Sequence, residues 1–303
     1  MAKEESIGRI NLIVKKLRSG NASFKEICEY LRKESVLLED TDFTISKRTF
    51  QRDIALIRNL YKIDIEYDSH AGVYSITFDN HSELNQRMFE AYDTFNALNV
   101  AERLPNHIHF EDRRPQGTEN LYGILHAITN SKLIRFGYQK FWEDSPTNRC
   151  VEPYALKEFK NRWYILAKDR GDNRTKSFAL DRLTDFEVGS EKFSYPSDFN
   201  INQHYQSCFG IISPDGHQPE EVILSFNAHQ GKYIKTLPLH HSQEVLIDNE
   251  EELVVKLSLY ITFDFKMEIL SYGDDVRVVK PQSFIDDIKQ TYRNALKQYE
   301  SES

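Results

Sequence analysis

Apolar residues recur with helical spacing at the start of the chain and with a period of two through its middle. Ile7, Ile10, Ile13, Val14 and Leu17 predict a first helix, stopped by Ser19-Gly20. Ser23 stands three residues before Glu26, the spacing of a capping box, and opens a second helix with Ile27, Cys28, Tyr30 and Leu31 apolar. A third starts at Ser46, a natural N-cap, and places Phe50, Ile54, Ile57 and Tyr61 on one stripe. Residues 63–67 then alternate, residues 68–72 supply a turn, and Val73 to Thr77 alternate again, which predicts a hairpin. Three helices and a hairpin over residues 1–79 predict a winged helix-turn-helix.

Residues 80–120 are acidic and irregular, with a helix expected from Leu84 to Leu98 and a loop carrying Pro105, Pro115 and Gly117. They read as a linker. From 132 the period is two. Five short segments (133–138, 149–159, 162–168, 176–183 and 185–193) are mostly separated by turn residues such as Ser145-Pro146, Lys160-Asn161 and Gly171-Asp172-Asn173. Strands this short need closure to bury their apolar faces, which predicts a small SH3/Sm-like β-barrel within residues 121–200. In residues 201–303 strands at 221–226, 244–247, 253–260 and 276–279 alternate with helices at 229–237 and 263–270, and a last helix runs from 283 to 299. That order, βαββαβ plus a helix, is ferredoxin-like. The expected class is therefore α+β multidomain.

Forty per cent hydrophobic residues, with 19 Phe and 16 Tyr, exclude a wholly disordered chain. No apolar run approaches the roughly 20 residues of a bilayer span. The charged start MAKEESIGRI is unlike a signal peptide and points to the cytosol, as do Cys28, Cys150 and Cys208, which lie far apart with no C-x-x-C pair. The net charge of −8 hides an asymmetry. Residues 1–62 carry +4, 63–120 carry −7, 121–190 carry +3 and 191–303 carry −8. Two basic blocks thus alternate with two acidic ones, and a polyanion needs local positive potential, not a positive total.

The third helix turns long donors away from its apolar stripe: Arg48, Gln51 and Arg52, with Lys47 and Thr49 beside them. Arg can fork onto guanine O6/N7, Gln onto adenine N6/N7, and either can hold a phosphate. These five residues are the expected DNA contacts. His107 and His109 have no further ligands nearby in sequence, and His240 and His241 read as polar packing, so no metal is expected. No G-x-G-x-x-G, P-loop or G-x-S-x-G occurs, so neither an enzyme nor a cofactor is expected.

The stretch S-K-R-T-F-Q-R-D-I (46–54), followed by I-D-I-E-Y-D and G-V-Y-S-I, resembles the front end of bacterial WYL-domain transcriptional regulators, with Thr49, Arg52, Asp53 and Ile54 filling the T-x-x-R-D-I core. The triplet Trp163-Tyr164-Ile165 resembles the Trp-Tyr-Leu that names the domain. Tyr138, R-C-V-E-P-Y-A-L (149–156) and F-A-L-D-R-L (178–183) support it; Lys176 stands where the family usually has an Arg, and cannot fork. The L-P-L-H-H-S-Q-E-V (237–245) and S-Y-G-D-D-V-R-V-V-K-P (271–281) stretches resemble the WCX extension that commonly follows. The resemblance implies a regulator, most simply a repressor, that binds a double-stranded operator as a homodimer. It also implies a nucleic-acid or nucleotide effector held by Tyr138, Arg149, Tyr164, Lys176 and Arg182. The alternative is an RNA- or single-strand-binding accessory protein in which the barrel does the main work.

Overall fold

The computed structural model describes residues 2–37, 42–80, 82–101, 117–213 and 217–300. Its contacts separate two compact units, Met1–Asp112 and Arg113–Ser303. His107, His109, Pro105 and Pro115 lie outside the described residues.

The first unit is built from α1 (Ala2–Arg18), α2 (Phe24–Leu37), α3 (Lys47–Tyr61), β1 (Ile63–Asp68), β2 (Val73–Asp79) and α4 (Ser82–Ala101). The capping box at α2 forms: Ser23 N–H donates to Glu26 Oε2 (2.7 Å) and Glu26 N–H to Ser23 Oγ (3.3 Å). Ile10, Ile13, Ile27, Leu31, Phe50 and Ile57 are buried together, and each such side chain is worth roughly 1.5–3 kcal/mol of transfer free energy. β1 and β2 pair antiparallel around a turn in which Gly72 takes φ 70°, a left-handed conformation that costs glycine nothing. Ala22, in the α1–α2 turn, exchanges both backbone hydrogen bonds with Tyr74 (3.1 and 2.8 Å) and anchors the hairpin to the helices.

The expected helix from Leu84 to Leu98 is present as α4, but its inner face does more than connect. Asn85 is buried and its amide donates to the Tyr61 carbonyl and to Asp79 Oδ1, both at 2.8 Å. The Phe89 ring packs edge-on to Tyr61 (5.0 Å) and beneath the Arg18 guanidinium (4.9 Å). A polar residue that completes a buried hydrogen-bond set gives no apolar period to read.

The first described residue of the second unit is Gly117, whose φ of 69° and 2.3 Å approach of an added Cβ to the Leu180 backbone leave room for no side chain. A short helix α5 (Leu121–Thr129) follows, and its Ile124 and Ala127 join the core of a five-stranded antiparallel sheet. The strands are β3 (Lys132–Tyr138), β4 (Thr147–Phe159), β5 (Arg162–Asp169), β6 (Thr175–Ala179) and β7 (Leu183–Lys192), in the order β6-β5-β4-β3-β7. Three features differ from expectation. β4 has 13 residues and β7 has 10, so the strands are not uniformly short. No ladder joins β6 to β7 among the described residues, so the ring of hydrogen bonds stays open. Residues 176–183 are also not one strand: a 3-10 turn, Leu180–Arg182, ends β6 and lifts Arg182 out of the sheet.

Beyond α6 (Ile201–Tyr205) comes a second sheet, formed by β8 (Glu220–Asn227), β9 (Glu244–Asp248), β10 (Glu252–Leu259) and β11 (Val276–Lys280) in the order β11-β8-β10-β9. Helices α7 (Ala228–Thr236), α8 (Phe263–Ser271) and α9 (Gln282–Glu300) complete it, with Ile234, Phe265, Ile269, Phe284 and Ile288 on its core. The chain is thus a mixed α/β protein of more than one domain.

Candidate nucleic-acid interface

α3 is held from both ends and from behind. Ser46 Oγ accepts from Thr49 N–H (3.2 Å), Lys62 closes the other end in a left-handed conformation, and Phe50, Ile57 and Tyr61 are buried. Asp53, which follows Arg52, turns inward and is 2% exposed. There Arg9 of α1 grips it through both guanidinium edges, Nε to Oδ2 at 2.7 Å and Nη2 to Oδ1 at 3.1 Å. The pair is a forked, largely desolvated contact that fixes the helix's rotation about its axis.

Neutralising Asp53 from behind leaves its neighbours uncompensated in front. Lys47, Arg48 and Arg52 are exposed, and none has an ion-pair partner among the described residues. Gln51 is exposed too, with its amide 3.4 Å from the Tyr74 hydroxyl, a loose tie to β2. Thr49 departs from the expected set: its hydroxyl lies 3.0 Å from Ser46 Oγ and belongs to the cap. The free N–H groups at a helix start add positive potential to the three cations. Such a face can hold phosphates and present forked donors to base edges.

The five expected effector residues divide in the structure. Arg149 and Lys176 converge on Asp169, whose side chain is 2% exposed. Its Oδ2 accepts from Arg149 Nη1 (3.0 Å) and Lys176 Nζ (2.9 Å), and its Oδ1 from Gly171 N–H (2.9 Å). Lys176 also reaches Asp172 at 2.6 Å. Burial alone would push the Asp169 carboxyl up, but the Lys176 and Gly171 hydrogen bonds and the Arg149 charge hold it below its ordinary value. These two cations are therefore engaged in the fold.

Arg182 is placed differently. Local pairing with Asp181 does not occur, because Asp181 faces Arg162 at 3.4 Å. The Arg182 guanidinium lies against two rings, 4.9 Å from Tyr138 and 4.7 Å from Phe141. Its Nε is buried with no hydrogen-bond partner, and no carboxylate pairs with it among the described residues. Tyr138 is buried, and its hydroxyl accepts from Ala179 N–H at 3.3 Å. Burial drives its phenol above the usual value, against the pull of that N–H and of Arg182. Tyr164 alternates onto the face of β5 opposite Ile165 and Ala167, which belong to the core. Burial raises its phenol, with the charges of Arg162 and Arg182 acting against it.

Residues 119–188 match the model of the WYL domain and residues 218–296 that of the WCX domain. The chain carries both domains. Within the WYL domain the sheet positions both the Asp169 cluster and the Arg182 turn. Protein PafB of Mycobacterium tuberculosis and of Mycobacterium bovis are each 33% identical over 69 residues, 22% of this chain and 21% of theirs. The match thus spans about a fifth of the length of these relatives. Among solved structures, proteasome accessory factor B/C (PafBC) of Arthrobacter aurescens is 18% identical, with 94% of this chain and 45% of that chain covered, at a TM-score of 0.36. A CRISPR Cas-related protein is 12% identical, with 88% and 77% covered, at 0.40. At those scores neither superposition carries an argument.

Outside the expected set, the WYL domain shows Phe141 and Trp142, 75% and 78% exposed on the β3–β4 loop beside Arg182. Two adjacent large aromatics in a loop of polar residues were the available signal. His240 accepts from Ser242 N–H (3.2 Å) and lies 2.7 Å from Ser242 Oγ; burial drives its imidazole down to about 4. Among the described residues no cluster of three or more His, Cys, Asp or Glu could hold a metal ion, and no helix is long and apolar enough to cross a membrane.

Proposed function

We propose that this chain is a DNA-binding transcriptional regulator, a repressor that acts in the cytosol as a homodimer and has no catalytic activity of its own. In this reading the first unit is a winged helix-turn-helix that lays α3 in the major groove with the β1–β2 hairpin as its wing. The open five-stranded sheet is read as the small barrel of the WYL domain, and the order β11-β8-β10-β9 supports a ferredoxin-like reading of the last sheet. The WYL domain senses a nucleic-acid or nucleotide effector and changes operator affinity. One observation carries the reading: among the described residues Lys47, Arg48 and Arg52 have no ion-pair partner, and they lie on the exposed face of a helix whose opposite face is locked by Arg9–Asp53. The WYL and WCX domains support it.

The test is the affinity of full-length protein for duplex selected from random sequence. Arg48→Ala and Arg52→Ala should each cost about 1–3 kcal/mol if they read bases, and each should flatten the salt slope by about one if they hold phosphate. An unchanged double variant would sink the assignment.

A second reading rests on Phe141, Trp142 and Arg182, since exposed rings beside an unpaired guanidinium suit stacked bases of a single strand. Tighter binding of a single strand than of the selected duplex, unaffected by the α3 changes, would favour it.

A further inference from the structure

α4 has two apolar faces, and among the described residues only one of them is packed. Asn85, Phe89 and Tyr92 turn towards the first unit's core or its flank, at spacings of four and three. Leu84, Met88, Ala91, Phe95 and Leu98 lie on the outward face at spacings of four, three, four and three. Leu84, Met88, Phe95 and Leu98 are 57, 37, 47 and 47% exposed. A strict 4-3-4-3 row is the seam of a coiled coil, a period that matches another helix of the same period.

The order of side chains along that seam says which helix. It reads large, large, small, large, large about Ala91. A two-fold axis at Ala91 sets Ala91 against its own copy, Met88 against Phe95 and Leu84 against Leu98. Small meets small where two crossing helices come closest, and large fills space where they diverge. A patch that complements itself under two-fold rotation is the mark of an isologous dimer contact. We propose that the outward face of α4 docks a second copy of this chain, the two helices crossing antiparallel at Ala91.

The contact is short, about 21 Å from Leu84 to Leu98 at 1.5 Å per residue, and a seam of this length buries less than the roughly 1,200 Å² of a standard stable interface. Its helix is already ordered, because Asn85 and Phe89 fix the inner face, so docking does not have to fold it. A dimer of micromolar strength is expected, tightened where DNA holds two copies side by side. The inference deepens the homodimer of the proposed function by naming its surface.

Disulfide trapping in the full-length chain tests it, with wild type reporting the background from Cys28, Cys150 and Cys208. Ala91→Cys should form a linked dimer on mild oxidation. Met88→Cys and Phe95→Cys should each link poorly alone and link efficiently when mixed, which separates antiparallel from parallel pairing. Met88→Glu/Phe95→Glu should weaken the dimer at least tenfold in sedimentation equilibrium, with the thermal transition unchanged and binding to a duplex half-site retained. Absence of the Ala91→Cys link above background, equal linking of the single variants and their mixture, or an undiminished dimer in a folded double-Glu variant overturns the proposal. If the double-Glu variant does not fold, the Ala91→Cys and mixed links decide. Links formed by a protein that binds no duplex would leave this contact standing and remove the DNA-binding reading.

Discussion

The α3 face and the Asp169 cluster carry the same kind of charge and use it in opposite ways. On α3 the adjacent carboxylate, Asp53, is turned inward and claimed by Arg9, so Arg48 and Arg52 are exposed and without an ion-pair partner among the described residues. In the sheet, Asp169 sits among the cations themselves and takes up both Arg149 and Lys176. A local positive balance therefore does not say whether a surface can bind an anion. What decides is where the acids point. The Arg182 turn, in the same sheet, behaves like α3: its adjacent Asp181 faces Arg162, and its guanidinium has no acid partner among the described residues.

The largest effect that would break this comparison lies at Arg9. Arg9→Ala leaves the Asp53 carboxylate buried and alone, and should lower the first unit's stability by about 3–5 kcal/mol, seen as an earlier step in denaturant unfolding. Arg9→Met/Asp53→Leu, which removes both charges, should recover most of it. If Arg9→Ala costs less than about 1 kcal/mol, the pair does not fix α3.

A smaller loss is expected at Asp169, because Arg149 and Lys176 are 21% and 31% exposed and water compensates them in part. Asp169→Ala should cost about 1–3 kcal/mol at neutral pH. Because the folded-state carboxyl titrates below its ordinary value, its contribution is full above that value and is lost as pH falls through the lower folded one. The gap between wild type and variant in unfolding midpoint should therefore hold from pH 8 to about 5 and close below about 4. A gap that stays constant into acid would deny the ion pairs their role.

The smallest stability change is expected at Arg182, where two ring contacts are worth about 0.5–1 kcal/mol each where solvent reaches the guanidinium. Arg182→Ala should leave the unfolding midpoint nearly in place and remove the response of a preformed operator complex to short single-stranded oligonucleotides. Arg149→Ala should do the reverse, disturbing the fold more than the response. Equal responses in wild type and Arg182→Ala would place the effector elsewhere.

Much of this architecture was legible in the chain because it follows from local rules. The capping box at Ser23, the cap at Ser46, the turn at Gly72 and the changes of period at 63 and 132 each depend on residues within a few positions of one another. The α3 face was legible for the same reason: a helix of known phase shows which residues share a side. The break at Leu180–Arg182 was not, since no Gly or Pro punctuates the chain between Lys176 and Leu183.

Partner choice across long separations was beyond local rules. Arg9 and Asp53 are 44 positions apart, Arg149 and Asp169 are 20 apart, and nothing in either segment names the other. The five expected effector residues looked alike as a basic and aromatic set, yet packing gave two of them an acid and left Arg182 against two rings. The sequence by itself determined most of the elements, their order and the exposed row of donors on α3, because those follow from propensity and phase along one stretch of backbone. Only the tertiary structure decided which charges are neutralised, because Coulomb pairing and desolvation depend on distances that the chain sets when it folds back on itself.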